Sequence, residues 1–448
     1  MNIKSDSRKI KEGDIFVALN TFNDGHKYVL DAIKKGAKKV IVKSGEYDVE
    51  TITVPDTKDY LIKHLKNNYY NQIKDLKLIG ITGTNGKTTT AYLIWQTLNK
   101  LGHKCAYIGT IGFYIEEKIK DLLNTTPEIT DVYEMLTKCK QNDCEYVVME
   151  VSSHALEQRR VDGLLFDYAI FTNLTEEHLD FHKSMGNYAL AKQKLFNMLK
   201  EDGRGIINID DKYHEYFLKC NNLTYGFKES DFQIIDYNIN LKTNFTLNIN
   251  DKIYNFESNL LGKYNIYNMT CVIAVLYDLK IDMEIIKYLI KNLNPPIGRM
   301  DLVNYGTNKI IIDYAHTPDA VENIITTVKE FASGKIYTII GCGGNRDKMK
   351  RPIMANLATN NSDYVIFTSD NPRDEEPIQI IEDMTSGLQN NNYEIEVNRE
   401  KAINKGIQKL TKNDILLLLG KGHETYQVIK GEKIYFNDLE KVMNFIRR

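Results

Sequence analysis

No run of this sequence approaches the roughly 20 consecutive apolar residues that a helix needs to cross a bilayer, so no transmembrane segment is expected. The first residues, MNIKSDSRKIKEGDIFVAL, lack the apolar stretch of a secretory signal peptide, and the expected location is the cytoplasm. An excess of either charge is also missing. The 58 Lys and Arg against 60 Asp and Glu leave a net charge of −2, with no electrostatic bias toward nucleic acid or an anionic membrane. One Trp and eight Pro in 448 residues exclude a Pro-rich or low-complexity architecture. The six cysteines (Cys105, Cys139, Cys144, Cys220, Cys271 and Cys342) show no CxxC pairing, so they indicate neither a disulfide framework nor a zinc site and read as core or incidental residues.

What is present is an ordinary globular composition, 42% hydrophobic and 26% charged, in a chain long enough for two to four domains, with three the natural expectation. Near the N-terminus, strand-like runs at 15–19 and 39–42 surround a helical stretch near 28–35, as in a small α/β module. The polar stretch 67–77 ends at the apolar run LIGI at 78–81, which places a boundary there. From 78 onward, apolar runs at 78–81, 146–151, 168–171 and 205–209 alternate with amphipathic stretches such as 89–101, the pattern of a parallel sheet wrapped by helices. Residues 212–260 become rich in Asn and Tyr with alternating polar and apolar positions, which predicts an antiparallel insertion or flank. After Arg299 a second series, with buried-strand runs at 310–312, 336–340, 364–367 and 415–419, reads as a separate doubly wound domain.

The run at 78–81 leads into GITGTNGKTTT at 80–90 and then a helical pattern. A strand, a Gly-rich loop and a helix N-terminus form a phosphate cradle: backbone N–H groups and the positive helix end face the anion, Lys87 reaches the terminal phosphates, and the Thr88 hydroxyl suits Mg²⁺. Five residues rather than four separate Gly80 from Gly86, and Gly83 adds a flexible position inside the loop. Such a loop alone fits any NTPase. Glu150, at the end of the apolar run YVVM, offers a carboxylate for the metal on the phosphates, although a strand-end Glu taken singly is more often just solvated. The expected fold class is α/β with three domains. These are a small N-terminal α/β domain at 1–76, a central P-loop parallel-sheet ATPase domain at 77–298, and a C-terminal Rossmann-like domain at 299–448.

In order and spacing, GTNGKTTT at 83–90, EVSSHAL at 150–156 and FTNLTEEHLDFH at 171–182 resemble the Mur ligase family. AKQKLF at 191–196, LLGKYNIYN at 260–268, GRMD at 298–301 and DYAHTPDA at 313–320 extend the resemblance over nearly the whole chain. DSR at 6–8, NTTP at 124–127, GCGGNRDKMKRP at 341–352, DNPR at 370–373 and GKGHETYQ at 420–427 resemble the branch that adds the third stem-peptide residue to UDP-N-acetylmuramoyl-L-alanyl-D-glutamate. The chain departs from that pattern at Asn345, where an acidic residue is usual, and in the shortness of the stretch before DSR.

The resemblance implies an ATP- and Mg²⁺-dependent ligase acting through an acyl phosphate in peptidoglycan biosynthesis, with UDP-N-acetylmuramoyl dipeptide and an amino acid as its partners. Gly83, Thr84, Asn85, Gly86, Lys87, Thr88 and Thr89 would hold the ATP phosphates, Asn268 the adenine and Arg299 the γ-phosphate, with Asp313 and His316 at the domain junction. Lys87, Glu150, His178 and Lys192 would be the catalytic set. Thr88 and Glu150 would take one Mg²⁺, and His178 and Lys192 a second, Lys192 as a carbamate because an ammonium cannot ligate a cation. Ser7, with its neighbours Ser5, Asp6 and Arg8, falls at the uridine side, and Asn124, Thr125, Thr126, Ser152, Gln158 and Arg160 at the peptide and diphosphate side. Taken alone, each Ser or Thr is more often a cap or turn residue.

The incoming amino acid is distinguished at its far end. The Arg373 guanidinium suits a second carboxylate and repels an ε-ammonium, which favours meso-diaminopimelate over L-lysine. Arg346, Asp370, Asn371, Gly420 and Glu424 match the remaining amino-acid contacts. Alternatives are the same chemistry on L-lysine or another diamino acid, a folylpolyglutamate synthetase or dipeptide-adding relative, and a nucleotide-binding regulator without ligase activity. A nucleic-acid motor is disfavoured by the lack of a basic stripe. A monomer is expected.

Overall fold

The structure, a computed structural model, describes residues 2–20, 24–218, 221–240 and 242–447. Its described strands form three main sheets, each layered with helices, and one small hairpin. The first sheet is parallel and four-stranded, ordered Ile3–Lys4, Ile15–Val17, Lys39–Val42, Glu50–Thr53. Of the polar stretch at 67–77, residues 67–73 belong to a helix. Thr57–Ile73 is a single helix that buries Leu61, Leu65 and Ile73, and it packs on the helix Ile129–Gln141. Its N-terminus is capped by Asp56, whose carboxylate accepts from Asp59 N at 2.8 Å.

The central sheet has eleven described strands. Its parallel heart runs Leu199–Asn208, Phe166–Phe171, Lys77–Thr82, Tyr146–Glu150, Cys105–Gly109. These strands are apolar on both faces because helices cover both sides, and Ile79, Ile81, Val147, Val148 and Ile170 are wholly buried. The antiparallel flank expected over 212–260 is present as Phe232–Ile239, Thr243–Ile249 and Lys252–Ser258, while Asn222–Gly226 still pairs in parallel. The other edge carries Gly112–Tyr114 and Lys118–Lys120, which alternating periodicity did not mark. The third sheet runs Asp301–Tyr305, Asn308–Asp313, Ile415–Leu419, Ile336–Ile340, Tyr364–Phe367, Tyr393–Ile395, parallel except for its first pair.

Strand order puts the loops carrying polar motifs at the C-terminal ends of the parallel strands, where open α/β sheets bind ligands. Five cysteines are buried free thiols; Cys220 lies outside the described residues. Among the described residues no helix is long and apolar enough to cross a membrane.

The last helix, Asp438–Ile446, is tied to the third sheet by a buried bidentate ion pair. Arg399 donates through Nε and Nη2 to Asp438 at 2.8 and 2.6 Å, both side chains have no exposure, and Nη2 also reaches the Leu419 carbonyl at 3.1 Å. Removing one partner leaves a buried unpaired charge, so Asp438→Asn is expected to cost about 3–5 kcal/mol in a urea titration. A loss below about 1 kcal/mol would mean that the pair contributes no more than a surface one.

Candidate active site

The loop between Lys77–Thr82 and the helix Lys87–Lys100 is held open in the shape of an anion cradle. Gly86 takes φ +85°, and at Gly83 a Cβ would stand 1.9 Å from Thr172 Oγ1, so only glycine fits there. The neighbouring strand's end fastens the loop. Thr84 N donates to Asn173 O (2.8 Å), Asn85 N to Asn173 Oδ1 (2.9 Å), and Thr172 Oγ1 to Asn85 O (2.6 Å). Lys87 folds back on the same loop, its Nζ 2.9 Å from Gly83 O and 2.8 Å from Thr84 O. Asn268 meets the loop from behind and accepts from Thr90 Oγ1 at 3.1 Å.

Glu150 is fully buried, and its carboxylate accepts from Thr88 Oγ1 (2.9 Å), Thr110 N (2.8 Å), Thr110 Oγ1 (3.1 Å) and the Tyr107 hydroxyl. A buried carboxylate without such donors would be strongly destabilising. Thr88 and Glu150 thus present adjoining hard oxygens, the ligand type Mg²⁺ takes. Among the described residues no three His, Cys, Asp or Glu side chains converge as a metal centre.

Lys192 comes from the helix Met185–Gln193 and is buried at 1% exposure, with Nζ 2.7 Å from the same Gly83 carbonyl and 4.4 Å from the Tyr188 ring centroid. Burial, with Lys87 adding repulsion, pushes its amine well below the usual lysine range. His178 sits in a left-handed backbone position, φ +57°, with its ring edge-on to His154 at 4.6 Å. Burial lowers His178 to about 4, against the pull of Glu177.

Glu177 lies within FTNLTEEHLDFH, where the sequence alone gives it no separate site signal. Its carboxylate lies 3.7 Å from His178 Nε2 and 3.8 Å from His316 Nε2, so it faces imidazoles from two sheets. Burial pushes this acid up, yet His178, His316, Lys87 and Lys350 together bring it below its ordinary value. A second cross-link joins the loop itself to the third sheet's layer: Asn85 Nδ2 donates to Asp319 Oδ2 at 2.6 Å. Arg299 lies over the Tyr314 ring at 4.9 Å, and Asp313 accepts from Met300 N and Ala315 N at 2.9 and 2.8 Å. Asp313 therefore shapes the chain crossing as well as lining it.

Beside Glu150 lies a second group. Thr126 Oγ1 donates to Glu150 O (2.9 Å) and accepts from Ser152 N (3.0 Å); Arg160 reaches Thr126 O (2.8 Å) and Gln158 Oε1 (2.6 Å); and Thr125 meets Thr110 at 3.1 Å. Asn124 is exposed next to them. Ser7 is not part of this group: its hydroxyl donates to Asp31 at 2.9 Å, and Arg8 folds onto Asp6 at 2.8 Å. The segment carrying Ser7 is pinned by Lys4 on Glu134 and Lys9 on Asp131 to the helix Ile129–Gln141.

At the third sheet a further pocket assembles. Asn371 Nδ2 and Lys421 Nζ both donate to Glu424 Oε2, at 2.8 and 2.9 Å, and Arg373 Nη1 donates to Gly344 O at 2.8 Å. Arg373 loses basicity through burial and the neighbouring Arg346, with Asp370 and Glu424 opposing. A Cβ at Gly420 would stand 2.5 Å from Asp370 Oδ2, which explains glycine there. Lys421, wholly buried, had no separate signal beyond its place in GKGHE. Asn345 has a structural reason: its Nδ2 donates to Asp374 Oδ2 at 2.8 Å, where an acidic residue would meet a like charge, and it tolerates φ +52°.

A strand, a phosphate-shaped loop, a helix and a buried acid on the next strand define a P-loop nucleotide-binding α/β protein. Residues 81–276 match the Mur ligase middle domain and residues 298–422 the Mur ligase, glutamate ligase domain. The chain is 44% identical to the UDP-N-acetylmuramoyl-L-alanyl-D-glutamate--2,6-diaminopimelate ligase of Clostridium perfringens, over 99% of this chain and 94% of that one. To the ligase of the same name from Aquifex aeolicus it is 40% identical, over 99% and 93%. The chain therefore belongs to the Mur ligase family. A solved structure of a UDP-N-acetylmuramoyl-L-alanyl-D-glutamate--2,6-diaminopimelate ligase superposes with a TM-score of 0.71 at 31% identity, covering 100% of this chain and 94% of that one. The MurF ligase of Thermotoga maritima in complex with ADP shares the fold, with a TM-score of 0.68 at 18% identity over 99% and 96% of the two chains.

His182 offers a pH test of this packing. It is 5% exposed, shares a 2.9 Å hydrogen bond with Ser153 Oγ, and is lowered from 6.5 to about 4 by burial and then by His154 and Lys192. The unfolded chain binds this proton first as pH drops, so its contribution is intact above about 6.5 and is lost on the way down to about 4. Thermal melts of His182→Gln should show a shallower loss of stability across that window than the parent; an equal slope would contradict the burial of a neutral imidazole.

Proposed function

We propose that this protein is an ATP-dependent, ADP-forming ligase that joins meso-diaminopimelate to UDP-N-acetylmuramoyl-L-alanyl-D-glutamate in peptidoglycan biosynthesis. The observation that carries the choice of amino acid is the pocket in which Arg373 and Arg346 stand beside Glu424 and Asp370. Two guanidiniums suit carboxylates, and Asp370, with the oxygen of Glu424 that Lys421 and Asn371 leave free, suits an ammonium, which is the charge pattern of a diamino diacid. L-Lysine would place an ammonium against the guanidinium of Arg373.

The division of labour follows the three sheets. We take residues 1–76 as the uridine-side domain, 77–298 as the ATP domain and 299–448 as the amino-acid domain, and infer that the protein acts as a cytoplasmic monomer. The γ-carboxylate of the dipeptide's glutamate attacks the γ-phosphorus of ATP and ADP leaves. The amine of the incoming amino acid then attacks the acyl carbon, loses a proton, and phosphate departs. The loop at 83–89, Asn268, Arg299 and His316 would bind and orient the nucleotide, and Asp313 would hold the chain crossing that carries them. Lys87 would release its loop carbonyls to meet the phosphates. Ser7, Asn124, Thr125, Thr126, Ser152, Gln158 and Arg160 would hold the UDP-dipeptide, and closure between the second and third sheets would exclude water from the mixed anhydride.

Thr88 and Glu150 would hold Mg²⁺, which when bound neutralises phosphate charge. Lys192 and His178 face the same loop. Burial lowers the basicity of the Lys192 amine and so favours the neutral form that adds to carbon dioxide, and the resulting carbamate would replace a repelling cation with an anionic oxygen ligand; we infer that Lys192 is so modified.

Two outcomes are expected. With UDP-dipeptide, ATP and Mg²⁺ supplied, product masses should show diaminopimelate incorporated much faster than L-lysine; the reverse order would refute the assignment from Arg373. Lys192→Ala should lose at least about 100-fold in kcat and recover part of it with a short-chain carboxylic acid or with bicarbonate plus a short amine. Full activity in the variant would remove Lys192 from the site.

A further inference from the structure

Arg373 occupies a backbone position that side-chain-bearing residues rarely adopt, φ +53°, in the middle of the loop expected to recognise the amino acid. Strain of this kind persists only where neighbours impose it. The imposing element is the hairpin Tyr426–Ile429 and Glu432–Tyr435, which lies apart from the third sheet and pairs with no other described strand. Arg373 N donates to Val428 O at 2.8 Å, and Lys430 N donates to Arg373 O at 2.6 Å, so both backbone groups of the strained residue are gripped by the hairpin's first strand and the turn that follows it.

The same strand holds the preceding residues. Val428 N donates to Asn371 Oδ1 at 2.9 Å and Gln427 Nε2 to Asp370 O at 2.8 Å. On its far side the loop is fastened by Arg351, which is fully buried and reaches both Glu375 oxygens at 2.9 Å and Asp383 at 2.6 Å. The loop is thus clamped at both ends, and the Arg373 guanidinium, 2.8 Å from Gly344 O, inherits its direction from the clamp.

We propose that this hairpin is the specificity-setting element of the amino-acid pocket: by holding Arg373 left-handed it fixes where the guanidinium meets the substrate's distal carboxylate. Gln427, Val428 and Lys430 are positioning residues that act through Arg373 and touch no reactant. The proposal rests on the diaminopimelate reading above.

The test is a double-mutant cycle on the full enzyme, with kcat and KM measured for diaminopimelate, L-lysine, ATP and UDP-dipeptide. Lys430→Pro removes the N–H that Arg373 O accepts and forbids the turn's φ of +50°. It should raise KM for diaminopimelate about tenfold and narrow the diaminopimelate-over-lysine ratio of kcat/KM by a similar factor, while KM for ATP stays within about twofold. In an Arg373→Ala background Lys430→Pro should add almost nothing, because the group it positions is gone. Gln427→Ala, a milder change, should move the same parameters in the same direction, and it carries the cycle if Lys430→Pro does not fold. Additive effects in either cycle, or equal losses for all substrates, would overturn the hairpin's role while leaving the ligase assignment standing. A parent enzyme that turns over L-lysine but not diaminopimelate would overturn both the hairpin's role and the diaminopimelate reading.

Discussion

Lys87 and Lys192 both donate to the carbonyl of Gly83, at 2.9 and 2.7 Å. Two ammonium groups around one backbone oxygen repel each other, and in a site shielded from water that repulsion is poorly screened. Burial lowers both amines below the ordinary lysine value; Lys87 adds to the lowering of Lys192, and Arg299 to that of Lys87. That repulsion is relieved if one lysine gives up its charge or an anion arrives between them. In the reading proposed above, a triphosphate would answer the first lysine and a carbamate the second. Glu177 and Glu150 oppose the lowering of Lys87, and Glu177 that of Lys192, but both carboxylates are shared with other partners, Glu150 with hydroxyls and an amide and Glu177 with two imidazoles.

That charge problem organises the molecule around it. The loop is rigid because Asn173, Thr172 and Thr175 fasten it, so the lysines rather than the backbone must respond to a ligand. The third sheet's layer meets the loop through Asn85–Asp319 and meets the segment after Phe166–Phe171 through Glu177–His316. The amino-acid pocket solves a different problem with different means: Lys421 and Asn371 orient Glu424, and a separate hairpin orients Arg373.

Much of this could be read from the residues. The parallel strands showed as unbroken apolar runs because both their faces are covered, and the P-loop showed because its glycines and its Lys-Thr pair answer to backbone geometry. The strands Gly112–Tyr114 and Lys118–Lys120 did not show, since the first is only three residues long and the second is an exposed edge without apolar alternation. The helix Thr57–Ile73 was masked by a polar second half, where only Ile73 is buried after Leu65. Among site residues, Glu177 and Lys421 sat in plain view inside motifs, but their importance lies in partners brought from elsewhere in the chain. Tyr107 and Thr110, which stabilise the Glu150 carboxylate, belong to no motif at all, and only the pairing of Cys105–Gly109 with Tyr146–Glu150 reveals them.

All of these features serve one chemical event, the joining of a carboxylate to phosphate before an amine attacks. Oxygen-18 placed in the terminal glutamate carboxylate of the UDP-dipeptide tests that event directly. With ATP, Mg²⁺ and diaminopimelate present, the released inorganic phosphate should carry one labelled oxygen per peptide bond formed. Unlabelled phosphate released alongside extended peptide would contradict the mixed anhydride and the charge arrangement built to support it.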